Sequence, residues 1–304
     1  MRRRAGVGGG RVDLSDFAGT VGSADPVTIE GAGTRGGAVP GVRAVRAPSG
    51  IEWIQPDEMT LSCRASTPVE DVDAALAEHG QRIAVPPTGT IGGALAVGRS
   101  GLRRLGYGPV RDVLLQARYV SAAGDVVTAG GPTVKNVSGF DLCRLLVGSH
   151  GTLGFLGDMI LRTRPRPAFE QWYHLATDRF ADPADILSRL YRPDAVLWNG
   201  SEFWVLLSGA PADVETTAAA LELIPVAGPP DVSGRHRWSL PPSALGTLAG
   251  DFVAEVGVGV VHHRERPATR PPDAGLKALT QRIKANFDPT GRLNPGVSVL
   301  ADGS

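Results

Sequence analysis

The chain is poor in lysine, cysteine and net charge, and each shortage closes off a class of function. Lysine occurs three times, at 135, 277 and 284, while arginine supplies the rest of the 31 basic residues, which 31 acidic ones balance. A formal charge of zero lacks the basic excess with which a nucleic-acid binder neutralises phosphates, so no nucleic acid is expected as a partner. A local cationic cleft is still allowed. Two cysteines, Cys63 and Cys143, are too few for a disulfide framework, and neither stands in a CxxC pair. A reducing compartment, the cytoplasm, is the expected location. No apolar run approaches the ~18 residues that a membrane-spanning helix requires. The opening MRRRAGVGGG carries arginines with no apolar stretch behind them, so it reads as a disordered tail and not as a signal peptide. There is no HxxxH, no cysteine cluster, no ladder of carboxylates and no serine nucleophile elbow, so neither a metal site nor a serine hydrolase is expected.

What the chain has in quantity is apolar residues, 42% of 304, and glycine, 40 residues. That length allows about two domains, each with a sizeable core. The first half reads as strands and helices separated by glycine-bearing loops. A short strand at 27–31 runs into GAGTRGG; 59–64 alternates like a half-buried strand. Thr67, Pro68 and Glu70 look like an N-cap, N1 and capping box for a helix with Val69, Val72 and Leu76 on its apolar stripe and Gly80 at its end. A strand at 83–85 leads to a second glycine loop, 89–101. Strand 113–120 turns at Gly124-Asp125, a further strand ends near Arg162, and RPRP makes a linker. Beyond it, strands at 171–176, 195–198, 203–208 and 252–261 and helices at 183–191 and 212–223 spell β-α-β-β-α-β, the split βαβ or ferredoxin-like order. Asn199-Gly200 is a hairpin signal, 224–250 is proline-rich and unassigned, and a helix at 273–287 leads into DPTGRLNPG.

Three glycine-rich segments stand out: 31–37, PPTGTIGGALAVGRSG at 86–101, and the end of KNVSGFDLCRLLVGSHGTLG at 135–154. Glycine lets the main chain approach a ligand closely. Ser149 and Thr152 look like hydroxyl donors beside exposed N–H groups. Gly31, Gly33 and Gly36 spell GxGxxG after a strand, but GAVPGVRAV follows, and its proline and β-branched residues do not start the helix that a Rossmann site requires. The segment reads instead as a helix-free anion nest of main-chain N–H groups, with Arg35 adding a charged contact.

Taken in order, EGAGTRGG, TPVEDVDAALAEHGQ, TIGGALA, YGPVRDVLL, KNVSGFDLCRLLVGSHGTLGF and FDPTGRLNPG resemble the vanillyl-alcohol oxidase, or PCMH-type, flavoproteins, in particular the FAD-binding subunits of bacterial glycolate oxidases. The resemblance implies an α+β fold: a PCMH-type two-subdomain FAD-binding domain at 23–166, a small ferredoxin-like cap at 167–285, and a tail at 286–304 that returns to the FAD domain, after a disordered tail at 1–22. It implies FAD as cofactor. The pyrophosphate would lie on Gly31, Ala32, Gly33, Thr34 and Arg35; Thr88, Thr90, Gly92, Gly93, Ser100 and Gly101, together with Gly148, Ser149, Gly151, Thr152 and Leu156, would line the rest, with Asn294 from the tail. The first loop has no His, and neither cysteine stands at an attachment position, so the FAD is expected to be non-covalent. The stretch before Val27 looks too short and glycine-rich for an opening helix. The cap is short for a complete oxidase. The function so implied is that of an FAD subunit oxidising glycolate or another 2-hydroxy acid and passing electrons to a sister FAD subunit and an iron–sulfur subunit, with attachment to the inner face of the cell membrane through those partners. A stand-alone oxidase of another alcohol or sugar acid, and a non-catalytic scaffold, are the alternatives.

Such chemistry needs a base for the hydroxyl proton and cations for the carboxylate. Of six histidines, His79 ends a helix and His150 lies in the third segment. His262 and His263, with Arg264 and Arg266 beside them, are the candidate base and clamp. Neighbours on a strand point to opposite faces, so at most one of the two histidines faces a flavin.

Overall fold

The structure, a computed structural model, describes residues 13–131, 142–176, 180, 182–267 and 273–300; residues 1–12 and Lys135–Asp141 lie outside them. The chain divides into two units. Met1–Arg99, Val110–Pro165 and Ala274–Val299 make the first, and Ser100–Pro109, Arg166–Asp273 and Leu300–Ser304 the second. These units differ from the expected boundaries. The C-terminal helix belongs to the first unit, while Ser100–Pro109, which begins with the last two residues of the second glycine loop, and Leu300–Ser304 belong to the second.

In chain order the first unit contributes α1 (Ser15–Val21), β1 (Val27–Ile29), β2 (Arg43–Val45), β3 (Ile51–Gln55), β4 (Thr60–Arg64), α2 (Val69–Ala77), β5 (Gln81–Ile83) and α3 (Ile91–Val97). After α4 (Arg104–Tyr107) of the second unit come β6 (Leu114–Val120), β7 (Val126–Gly130), α5 (Leu142–Leu146) and β8 (Phe155–Pro165). The small α1 corrects the expected tail at 1–22. Leu14, Phe17 and Val21 are buried, and that burial holds a helix too short to persist alone. β1 and β2 pair in parallel, and the main chain around Val27 also bonds to Arg292 and Asn294 of the tail. A larger antiparallel sheet runs β3-β4-β8-β6-β7, with β5 on the far end of β8. Both sheets contribute to one core, Val27 and Val45 from the smaller and Leu61, Ala117 and Met159 from the larger. β8 is longer than the sequence suggests and runs into the RPRP segment, because β5 pairs with it as far as Pro165.

The expected capping box of α2 does not form. Thr67 is buried, and its hydroxyl accepts from the Gly50 N–H at 2.9 Å and donates to the Gly50 carbonyl at 3.0 Å. Its side chain ties the β2–β3 connection to the start of α2 instead. The apolar stripe holds: Val69, Val72 and Leu76 are fully buried.

The second unit contains β9 (Phe169–Ala176), β10 (Ala195–Trp198), β11 (Glu202–Gly209), α6 (Pro211–Ala220), β12 (Ile224–Val226), β13 (His236–Ser239), β14 (Phe252–Glu255) and β15 (Val260–His263). A 3-10 turn at Pro183–Arg189, capped by Asp182, replaces the expected helix there. Among the described residues the sheet order is β12-β9-β11-β10-β14-β15-β13, all antiparallel. The first four strands in that order are the ferredoxin-like arrangement, but its fourth strand is β12, from the proline-rich stretch. Residues 252–261 do not make one strand. Gly257 and Gly259, at φ 79° and 80°, turn them into the β14–β15 hairpin, which with β13 extends the sheet. α7 (Ala274–Phe287) follows and packs Ile283 and Phe287 on the first unit's core. No helix among the described residues is long and apolar enough to cross a membrane.

Candidate functional site

In the first unit the three glycine segments meet. From Gly31 to Gly37 the main chain is exposed apart from half-buried Arg35, and no helix follows. Gly33 and Gly36 take φ of 72° and 108°, which glycine adopts freely. The second segment abuts this loop. A Cβ on Gly89 would strike the Thr34 hydroxyl and lie 2.9 Å from Arg35 Nη1, so only glycine lets the two loops approach. The Arg35 guanidinium reaches the Pro86 carbonyl and Thr88 Oγ1 at 3.4 Å each through Nη2. Its Nη1 is buried and has no partner among the described residues. Burial pulls the guanidinium's pKa down from its ordinary value without discharging it.

The rest of the second segment is not loop. Thr90 caps α3, its hydroxyl accepting the Gly93 N–H at 3.1 Å. Gly92 is buried against Ala65, whose Cβ would lie 2.7 Å from an added Cβ. These glycines serve close helix packing as much as access to a ligand. Ser100 and Gly101 belong to the second unit.

The third segment is bonded to α3. The Gly148 N–H donates to the Leu95 carbonyl and the His150 N–H to that of Ala96, and Gly98 and Gly148 touch backbone to backbone. Ser149 and Thr152 do not present free hydroxyl donors as the sequence suggested. Both are buried and donate inward, Ser149 Oγ to the Leu146 carbonyl at 2.8 Å and Thr152 Oγ1 to the Ser149 carbonyl at 2.7 Å. Leu156 lies in the core on β8. Asn294 is a staple: its amide donates to the His150 carbonyl at 2.6 Å and accepts the Ile29 N–H at 3.0 Å. Both ends of that side chain are satisfied by main chain from β1 and the third segment.

Sequence reading missed the group that fixes the tail. Lys284 on α7 donates to the carbonyls of Thr152 and Leu293 and to Asp288. Asp288 also accepts the N–H groups of Arg292 and Leu293, and Arg292 donates to the carbonyls of Val21, Asp25 and Ala122. Burial pushes the Asp288 carboxyl up, but the hydrogen bonds from Lys284, Leu293 and Arg292 and the Lys284 charge outweigh it, holding the carboxyl below its ordinary value. The signal in the sequence is the i, i+4 pair Lys284/Asp288 at a helix end.

In the second unit α6, the 3-10 turns and Leu105 of α4 pack on one face of the sheet. His263 points to that face and is fully engaged. Its Nε2 bonds the Ala249 carbonyl at 3.0 Å, its Nδ1 accepts the Glu265 N–H at 2.9 Å, and Trp238 stacks on the ring at 4.1 Å. No lone pair is left for a base, which corrects the pairing of His263 with His262 as candidates. His262 points to the other face. Its Nε2 stands 2.9 Å from Oε1 of buried Glu255, and Arg237 is its partner across β13. Arg264 is engaged with Asp251 at 3.4 Å, which Arg235 also meets. Arg266 is exposed.

The profile of the family described as "FAD binding domain" matches residues 25–130. The chain is 29% identical to "Glycolate oxidase subunit GlcE" of Escherichia coli (strain K12), over 83% of this chain and 85% of that one. It is 37% identical to "Glycolate oxidase subunit GlcD" of Bacillus subtilis (strain 168), over 36% of this chain and 25% of that one. It is 36% identical to a "D-lactate dehydrogenase" of Archaeoglobus fulgidus over 46% of this chain and 34% of that one. Residues 25–130 thus carry the likeness to an FAD-binding domain, and the likeness to the glycolate oxidase subunit extends through the rest of the chain. Its fold also matches an alkyldihydroxyacetonephosphate synthase structure, with a TM-score of 0.64, 13% identity, and coverage of 93% of this chain and 72% of that one. FAD is the cofactor that these likenesses support, and the first unit fits it. A buried guanidinium N–H without a partner beside an exposed glycine main chain is what an anionic pyrophosphate would satisfy.

Proposed function

We propose that this chain is the FAD-binding subunit of an enzyme complex that oxidises glycolate or a related 2-hydroxy acid. The observation that carries the reading is the likeness to a glycolate oxidase subunit across 83% of the chain, with both units included. Bound FAD supplies the two-electron acceptor. The main chain of Gly31, Ala32, Gly33 and Thr34 and the free Arg35 N–H hold its pyrophosphate non-covalently, and Thr88 adds a hydroxyl. Thr90, Gly92, Gly93, Gly148, Ser149, Gly151, Thr152, Leu156 and Asn294 keep the second and third segments in place. His262 takes the substrate's hydroxyl proton. A sister FAD subunit and an iron–sulfur subunit receive the electrons. The complex works in the cytoplasm, held to the inner face of the membrane through those partners.

The test is spectroscopic. The purified protein should be yellow, or become so on adding FAD, and precipitation with acid should release the flavin because no covalent bond holds it. Anaerobic glycolate should bleach the flavin band. A protein that takes up no FAD, or whose flavin stays oxidised under every 2-hydroxy acid with or without the partner subunits, would sink the reading.

A further inference from the structure

His262 and Glu255 occupy the sheet face that the second unit's own helices leave alone. The register fixes this. Leu197 pairs with Glu255 and with Trp204, and Val253 pairs with His262, so all five side chains stand on one face. Around His262 that face is apolar at Val253 and Val260 and charged at three places. Glu255 comes from β14 and Arg237 from β13; beyond them on the same side Arg264 meets Asp251, which Arg235 also holds. Glu255 is buried, and the contact made by its carboxylate is the His262 ring. An ionised Glu255 can only accept, and that pairing makes Nε2 the donor and Oε1 the acceptor. No hydrogen bond reaches His262 Nδ1 among the described residues, and the ring is partly exposed.

We propose that Glu255 is a positioning residue that holds neutral His262 in the Nε2–H tautomer and so makes Nδ1 the atom that accepts the substrate proton. This rests on the reading of His262 as the base. Burial of a carboxylate beside an imidazole is a costly arrangement unless the partner gains from it. Here the gain is orientation: β14 and β15 fix both backbones, and the bond fixes the ring. When Nδ1 takes the proton from the hydroxyl oxygen, the imidazolium formed already has its counter-ion in contact; bound FAD would supply the acceptor for the hydride of the carbon that bears that oxygen. One proton and one hydride depart from the alcohol, which becomes the carbonyl.

Two measurements separate this proposal from the function it rests on. The first needs no turnover. Nitrogen-15 shifts of the His262 ring in the wild-type protein, assigned with His262→Asn, should report the Nε2–H tautomer, and an Nδ1–H tautomer overturns the proposal. In Glu255→Ala the ring should populate both neutral tautomers; a ring that keeps the Nε2–H tautomer alone overturns the proposal. The second is the rate of flavin reduction by glycolate. In Glu255→Ala the limiting rate should drop about 100-fold, with part of the loss recovered in Glu255→Asp. An unchanged limiting rate in a variant that merely melts earlier assigns Glu255 a structural role only. If glycolate never reduces the wild-type flavin, the proposed function fails, and the ring tautomer still decides whether Glu255 sets it.

Discussion

A buried guanidinium N–H with nothing to donate to is unusual, because such a group costs about 1–3 kcal/mol when left unsatisfied. Arg35 Nη1 is in that state beside Gly89. The cost is recovered if an anionic oxygen arrives, so Arg35→Ala should weaken FAD binding by roughly ten- to a hundredfold, the worth of one charge-assisted hydrogen bond. Titration of the flavin spectrum reads this, and an unchanged affinity would remove Arg35 from the cofactor site. Asp288 makes the opposite case, a buried carboxylate with several donors. Its folded-state pKa lies below the unfolded value near 4, so its contribution is fully present above that value and is lost as pH falls through the folded one. Asp288→Asn should cost about 3 kcal/mol at neutral pH by leaving the Lys284 ammonium, still bonded to two carbonyls, without its counter-ion. It should also flatten the loss of stability below about pH 4. Urea unfolding at pH 7 and pH 3.5 measures both; parallel losses at the two pH values would contradict the sign.

At the scale of elements, periodicity was a sound guide wherever an apolar stripe decided the outcome. The stripe of α2 is legible because it buries a regular face, and the hairpin at Asn199-Gly200 because its turn residues mark it. What was not legible depends on partners far away in sequence. Thr67 looks like a cap until Gly50 takes its hydroxyl, and β12 is invisible in a proline-rich stretch until β9 pairs with it. The glycine segments were found by composition, but composition does not separate a glycine that admits a ligand from one that admits a helix. Gly92 and Gly37 test that distinction. A Cβ on Gly92 meets Ala65 at 2.7 Å, whereas one on Gly37 meets nothing within 4 Å. Gly92→Ala should therefore destabilise the protein by about 1–3 kcal/mol through overpacking. Gly37→Ala should change stability by no more than about 0.5 kcal/mol. Equal effects in chemical denaturation would show that the close approach of α3 to Ala65 is not tight.

Over the whole molecule the two units have separate cores: one runs from Phe17 to Leu293, and the second unit is built on clusters around Phe203 and Phe252. The tryptophans are distributed unevenly between them, with Trp53 in the first unit and Trp172, Trp198, Trp204 and Trp238 in the second. Tryptophan emission thus follows mainly the second unit, while release of flavin follows the first, where the three glycine segments meet. A ligand that binds only the folded form stabilises by RT ln(1 + [L]/Kd), about 2.7 kcal/mol at a hundredfold excess over Kd. Excess FAD should accordingly raise the midpoint of flavin release on heating. The midpoint of the tryptophan transition should move much less, since that transition tracks a core whose strands contribute none of those segments. A tryptophan transition that rises in step with flavin release would mean that the two cores melt as one cooperative block and that the cofactor's binding energy is shared across the chain.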